Sequence, residues 1–159
     1  WTPSPTPAGP AVVHSLLHAA LRAGANVSLA HPAGYELDGG VLSEARQIAA
    51  EAETSFEEVS SADAAARGAD VIYARSWGAL ESYGQPTMAA HKVAQSRDWL
   101  VDENLMKLGS DARLMHPMPV RRNLEVTDEV LDGPRSLVYR QAANRLPTQK
   151  GLLSLLLRG

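Results

Sequence analysis

Apolar positions recur along the chain with two different periods, and their alternation predicts the architecture. Val12, Val13, Leu16, Leu17, Ala20 and Leu21 form a stripe at a 3.6-residue repeat. It follows a start signal at Gly9-Pro10 and is stopped by Gly24. Leu42, Ala45, Ile48, Ala49 and Ala52 trace a second amphipathic helix over Val41–Glu53. Short runs at Asn26–Ala30, Phe56–Val59, Ala69–Ala74, Leu100–Val101 and Ala112–Met115 read as strands. Ala69–Ala74 is almost continuously apolar, which suits a central strand covered on both faces. Ser60-Ser61-Ala62-Asp63 can cap a short helix that ends at Arg67-Gly68. Asp102 caps the turn Glu103–Lys107 before Gly109, and Thr127-Asp128-Glu129 opens another helix with acids in its first turn. Pro86–Gln95 reads as a helix, and a last helix runs from about Gln141 to Leu157 with a leucine-rich face. Strands alternating with helices at this spacing predict an α/β fold, a doubly wound parallel sheet with helices on both faces.

Composition narrows the picture. A chain of 159 residues can bury a real core, and 45% hydrophobic with 21% charged residues is the balance of a globular protein. A net charge of −3 gives no electrostatic footprint for nucleic acid. The absence of cysteine excludes disulfides, zinc thiolates and a thiol nucleophile, and suits a reducing cytoplasm. The longest apolar run, Leu152–Leu157, is broken by Ser154 and falls far short of the roughly 20 residues of a membrane span. His14 and His18 stand at a spacing that could bind metal, but without a third ligand nearby they read as helix histidines, and no metal site is predicted. No GxGxxG, GxxxxGK[ST] or GxSxG motif is present, so neither a nucleotide cofactor nor a hydrolase triad has an anchor. The opening Trp1-Thr2-Pro3-Ser4-Pro5-Thr6-Pro7 has no initiator Met and resembles an extended, semi-rigid interdomain connection over residues 1–8. The expectation is a piece of a longer protein.

Candidate chemistry concentrates at Met115-His116-Pro117-Met118-Pro119-Val120-Arg121-Arg122-Asn123. Its prolines remove two backbone donors and fix φ, so no helix or central strand can pass through. A rigid loop of bare carbonyls and fixed cations at a strand end can hold a small polar or anionic ligand. The alternative is a kinked loop with solvated arginines. A second loop, Arg75–Gly84, leaves the end of another strand, and in a parallel sheet both would face one crevice.

These residues resemble those of a known family. His116-Pro117-Met118-Pro119 is similar to the H-C-L-P or H-P-L-P loop of carbamoyltransferases, and Gln141-Ala142-Ala143-Asn144-Arg145 to their E-A-E-N-R motif. Asp70–Leu80, with Val120-Arg121-Arg122-Asn123, is most similar to the N-acetylornithine or N-succinylornithine branch. The resemblance covers nearly the whole chain and implies a Rossmann-like, carboxy-terminal, amino-acid-binding domain of a two-domain enzyme. The missing amino-terminal domain would carry the S-T-R-T-type and H-P-x-Q motifs that hold carbamoyl phosphate. This domain alone would then be inactive. The resemblance also implies a homo-oligomer, a trimer in the family, and no cofactor.

Residue roles follow from the resemblance. The backbone carbonyls of Pro117 and Met118, after His116, would accept from the carbamoyl NH2 and orient its carbon. Arg145 would stabilise charge developing on the carbamoyl group, or sit in a surface ion pair. Aligning Ser76 with the Ser of the ornithine enzymes' D-x-x-x-S-M-G places Ile72 where their Asp meets the free amine. Acylating that amine removes the need for the counter-ion. Arg75 would then grip the α-carboxylate. Trp77 would pack on the substrate's aliphatic chain or belong to the core. Arg122 is a further candidate for substrate binding. Glu125 stands where acetylornithine enzymes often carry a carboxylated Lys, and supplies a permanent carboxylate. Expected substrates are carbamoyl phosphate and an N-acylornithine. The alternatives are an aspartate or ornithine carbamoyltransferase domain, for which H-P-x-P and Val13-His14-Ser15-Leu16 speak, or a non-catalytic amino-acid-binding module.

Overall fold

The computed structural model describes residues 1–4, 6, 8–79 and 96–158. The predicted helix at Pro86–Gln95 and the second half of the Arg75–Gly84 loop lie outside them.

Helix α1 (Ala11–Arg22) buries Val13, Leu17 and Leu21, a single i, i+4, i+8 stripe, while Val12 from the wider predicted stripe is exposed. Helix α2 (Gly39–Glu51) buries Leu42, Ala45, Ile48 and Ala49. It starts two residues earlier than predicted because Asp38 caps it, accepting from the backbone N–H groups of Gly40 and Val41. The two helices pack on each other and on β1 (Val27–Ala30) and β2 (Phe56–Val59). These strands pair in parallel, in register from Val27 with Phe56 to Ala30 with Val59. Helix α3 (Ala62–Ala66), capped by Ser61, packs on the same strands and on α4 (Glu103–Leu108). Ala66 belongs to a different core cluster from α1 and α2, so β1 and β2 are covered on both faces. The α/β class and the parallel, doubly covered sheet are therefore as predicted.

The second strand pair, β3 (Val71–Tyr73) and β4 (Arg113–Met115), is also parallel and brings two loops to one end. β3 is shorter than the predicted Ala69–Ala74, and Val71 is 48% exposed. Pairing sets its length, since β4 offers only three residues, with Ala74 N–H adding one more bond to the Met115 carbonyl at 3.0 Å. The expected strand at Leu100–Val101 is reduced to a parallel bridge between Val101 and Val126. On its far side β4 meets residues 135–137, where Leu114 N–H donates to Arg135 and Leu137 N–H to Leu114. Leu114 is fully buried there, in a core shared with Met106, Val126, Val130 and Val138.

Helix α5 (Asp128–Leu131) is capped by Thr127, as its first turn predicts. The last predicted helix is two: α6 (Val138–Ala143) and α7 (Arg145–Arg158), meeting at Asn144. No residue of α7 is buried, and Leu152, Leu153, Leu155, Leu156 and Leu157 all face outward. Residues 1–4 are not a loose connection. Thr2 N–H donates to the Arg75 carbonyl at 3.0 Å, and the Trp1 ring lies in the α1–α2 core, its indole N–H on the Trp77 carbonyl at 2.9 Å. No described helix is long and apolar enough to cross a membrane.

Candidate active site

The chain leaves β4 at Met115 and enters the proline loop with His116 almost wholly buried, 1% exposed. Met118 N–H donates to His116 Nδ1 at 3.1 Å. That nitrogen must therefore be the unprotonated one, which leaves the ring proton on Nε2. The bond holds Met118 at φ 55°, a region that costs a non-glycine residue energy, just before a cis peptide to Pro119. Among the described residues, no backbone N–H donates to the carbonyls of Pro117 or Met118. The loop is thus fixed from behind, with two acceptors that no described residue claims.

Glu125 is the buried carboxylate of the site. His116 Nε2 stands 3.4 Å from its Oε2, in ion-pair range but without the alignment of a good hydrogen bond. Arg121 N–H donates to the same oxygen at 2.8 Å, the Arg121 guanidinium lies 3.6 Å from Oε1, and the buried Ser76 adds a weaker favourable interaction with the carboxylate. Burial pushes the carboxyl upward. His116, the Arg121 backbone and Ser76 outweigh it and hold Glu125 below the ordinary carboxylate value. One side chain thereby joins the loop after β3, the His116 loop and the arginine segment.

The loop after β3 divides its residues between site and core. Ser76 is buried against Glu125. Trp77 is 2% exposed within the α1–α2 core and donates its indole N–H to the Tyr35 carbonyl at 2.9 Å. Of the two predicted readings of Trp77, core packing accounts for every contact seen. Arg75 is half-buried, with Nε shielded and unbonded, and makes no ion pair with a described residue. Ile72 packs against the second core.

The two other predicted arginines differ. Arg122 is taken up by acids of its own segment, at 2.7 Å from Asp128 and at 2.6 and 2.9 Å from the two oxygens of Asp132. Asn123, in the left-handed region at φ 59°, binds Asp128 too. Arg145 opens α7 on the exposed surface without an ion pair among the described residues, one turn beyond Gln141.

Gln141 does touch the loop: its side-chain carbonyl accepts from His116 N–H at 3.1 Å, and its amide donates to the Tyr73 hydroxyl at 3.0 Å. Sequence reasoning places Gln141 in a motif but gives it, Tyr73 and Arg121 no role. Gln141 and Tyr73 meet the loop and each other only across elements distant in sequence, whereas Arg121 bonds Glu125 four residues on in its own segment. Among the described residues no cluster of three or more His, Cys, Asp or Glu is arranged to hold a metal. His18 instead lies 3.3 Å from the Val41 carbonyl and 3.6 Å from Glu44.

The arrangement is a shelf of free carbonyls and a half-buried guanidinium at the carboxyl ends of adjacent parallel strands, where open α/β sheets bind small ligands. Residues 8–156 match the family described as aspartate/ornithine carbamoyltransferase, Asp/Orn binding domain. The chain is 41% identical over 98% of its length to an N-acetylornithine carbamoyltransferase of Xylella fastidiosa, covering 47% of that protein. It is 42% identical over 93% of its length to an ornithine carbamoyltransferase of Pyrococcus horikoshii, covering 46% of it. A crystal structure of acetylornithine transcarbamylase complexed with acetylcitrulline superposes with a TM-score of 0.94 at 38% identity, over 98% of this chain and 47% of that one. Another of the same activity, complexed with carbamyl phosphate and N-succinyl-L-norvaline, gives 0.93 with the same identity and coverage. The chain spans about half the length of the relatives it matches. It belongs to the aspartate/ornithine carbamoyltransferase family, and its match is to the Asp/Orn binding domain of that family.

Proposed function

We propose that this chain is the amino-acid-binding half of an enzyme that moves a carbamoyl group from carbamoyl phosphate to the side-chain amine of an N-acylated ornithine. The observation that carries the choice of acceptor is the state of the carboxylates. In the described parts of the Arg75 and His116 segments, Glu125 is the sole carboxylate, and Ser76, His116 and Arg121 already engage it. Ile72, at the position of the ornithine enzymes' Asp, is a partly buried apolar residue packed against the second core. A free α-ammonium would find no uncommitted counter-ion among the described residues of this crevice, which is costly where water is excluded. An acylated nitrogen carries no charge and meets no such cost.

The amine attacks the carbamoyl carbon, a tetrahedral intermediate forms, the bond to the phosphate oxygen breaks, and the amine's proton leaves with phosphate or water. The Pro117 and Met118 carbonyls would accept from the carbamoyl NH2 and aim the carbon at the amine. Arg145 would donate to the carbamoyl oxygen as it gains charge. Arg75 would bind the α-carboxylate, for which its guanidinium, in no ion pair with a described residue, is suited. Glu125 and Ser76 would line the acyl side while holding His116. Arg122, bound to two aspartates, has a structural role in this reading. The carbamoyl phosphate would be held by an amino-terminal domain joined through residues 1–8, with α6 and α7 closing against it, in a cytoplasmic homo-oligomer. Taken alone, this chain would not catalyse.

The test is to supply the full-length protein with carbamoyl phosphate and either N-acetylornithine or N-succinylornithine. The expected result is the matching N-acylcitrulline and one phosphate per turnover. Absence of product with both acceptors counts against the proposal.

A further inference from the structure

β4 hydrogen-bonds alternately to its two sides. Arg113 N–H goes to β3 at Asp70, and Leu114 N–H goes to the opposite neighbour at Arg135, both at 2.9 Å. His116 N–H is the next donor toward that opposite side. The carbonyl it would meet in a continuing strand is that of Leu137. Leu137, however, is where the chain turns into α6, and its carbonyl is already accepting from Gln141 N–H at 2.8 Å. The ladder therefore ends one bond short, directly at the residue that begins the shelf.

Gln141 fills the gap. Its backbone N–H takes the Leu137 carbonyl, and its side-chain carbonyl takes the His116 N–H in that carbonyl's place, at 3.1 Å. Its amide is anchored in turn on the Tyr73 hydroxyl at 3.0 Å, at the end of β3. One side chain thus ties the first residue of α6's second turn to the ends of both strands from which the two site loops leave.

Resting on the carbamoyl-transfer reading above, we infer that Gln141 is a positioning residue that sets the height and tilt of the Pro117–Met118 carbonyls through the His116 backbone, with Tyr73 as its anchor. It touches neither the shelf carbonyls nor any expected substrate atom. A loop displaced by an ångström at the carbamoyl carbon loses orientation, which is a loss in turnover more than in binding. Glu in the same place keeps the acceptor for His116 N–H, and Tyr73 can donate to it instead of accepting.

The experiment uses the full-length protein with Gln141→Leu, Gln141→Glu and Tyr73→Phe. Hydrogen exchange reads the clamp independently of activity. The His116 amide should exchange at least about tenfold faster in Q141L, with Leu114 unchanged, since local opening follows loss of the local bond. Steady-state kinetics read the function. kcat should fall about 10–100-fold in Q141L with KM for the amine acceptor within about threefold, recover to within a few-fold in Q141E, and fall modestly in Y73F. Unchanged His116 exchange in Q141L overturns the clamp. Faster exchange with kcat preserved overturns its role in transfer. Equal losses in Q141L and Q141E, or a Q141L protein that does not fold while Y73F keeps full turnover, likewise overturn it. If the unmodified protein transfers no carbamoyl group, the functional reading fails, while the exchange result still stands.

Discussion

Glu125 is the one buried carboxylate among the described residues, and its surroundings make its charge part of the fold. Because its folded value lies below the ordinary one, the unfolded chain binds more protons in acid. The stability it contributes is complete above the ordinary carboxylate range and is lost as pH falls through the folded value. Glu125→Gln should cost about 1–3 kcal/mol at pH 7, the penalty for disturbing buried hydrogen bonds to a charged group. That deficit should shrink in urea unfolding as pH falls from the ordinary carboxylate range through the lower folded value; a deficit independent of pH would contradict the assignment. Arg145 should behave oppositely. It is exposed and makes no ion pair with a described residue, so Arg145→Ala should leave the melting temperature unchanged. In the full-length protein the same change should lower kcat about 10²–10³-fold, the loss expected for one donor to a developing oxyanion. His116 stood out as the first residue of a proline loop at a strand end, whereas Ser76 and Glu125 became candidates only through the family resemblance. No local pattern joins them, since Ser76 and Glu125 are far apart in sequence and meet only when β3 and β4 pair. Trp77 was ambiguous for the same reason: a large aromatic beside a site looks alike whether it faces ligand or core.

Elements whose boundaries depend on local chemistry were readable, and those that depend on a partner were not. Asp102 accepts from Leu105 N–H at 2.8 Å and starts α4 where the sequence placed it. Asp102→Ala should cost about 1 kcal/mol in a chemical-denaturation midpoint, the usual value of a lost N-cap. Ser61 and Thr127 cap α3 and α5 in the same manner. β3, in contrast, has an apolar run six residues long but a three-residue ladder, because its partner ends there. The last helix reads as one apolar segment, yet α7 finds no surface among the described residues to cover its leucines. A contiguous apolar face of that kind favours association. This chain on its own should self-associate through α7, with sedimentation shifting to larger species as concentration rises. Leu153→Lys with Leu156→Lys should abolish the shift, and a strictly monomeric profile of the unaltered chain at high concentration would contradict it.

At the scale of the whole molecule, alternation of strands and helices was enough to foresee the parallel sheet and the end at which its loops gather. The missing information was how the loops are held: a histidine ring receiving its own loop's N–H, one carboxylate shared by three segments, and a glutamine completing a broken ladder. None of these has a local signature. In the proposed reading they present a shelf whose acceptors suit a carbamoyl group and whose cation suits a carboxylate, with no spare negative charge among the described residues for a second amine. Substrate competition tests that last property directly. The measurement is kcat/KM of the full-length protein for N-acetylornithine, N-succinylornithine and free ornithine at saturating carbamoyl phosphate. The account predicts that the better acylated acceptor exceeds ornithine by at least about 100-fold, since stranding one ammonium without a counter-ion costs about 3 kcal/mol or more. Equal or higher kcat/KM for free ornithine would contradict it.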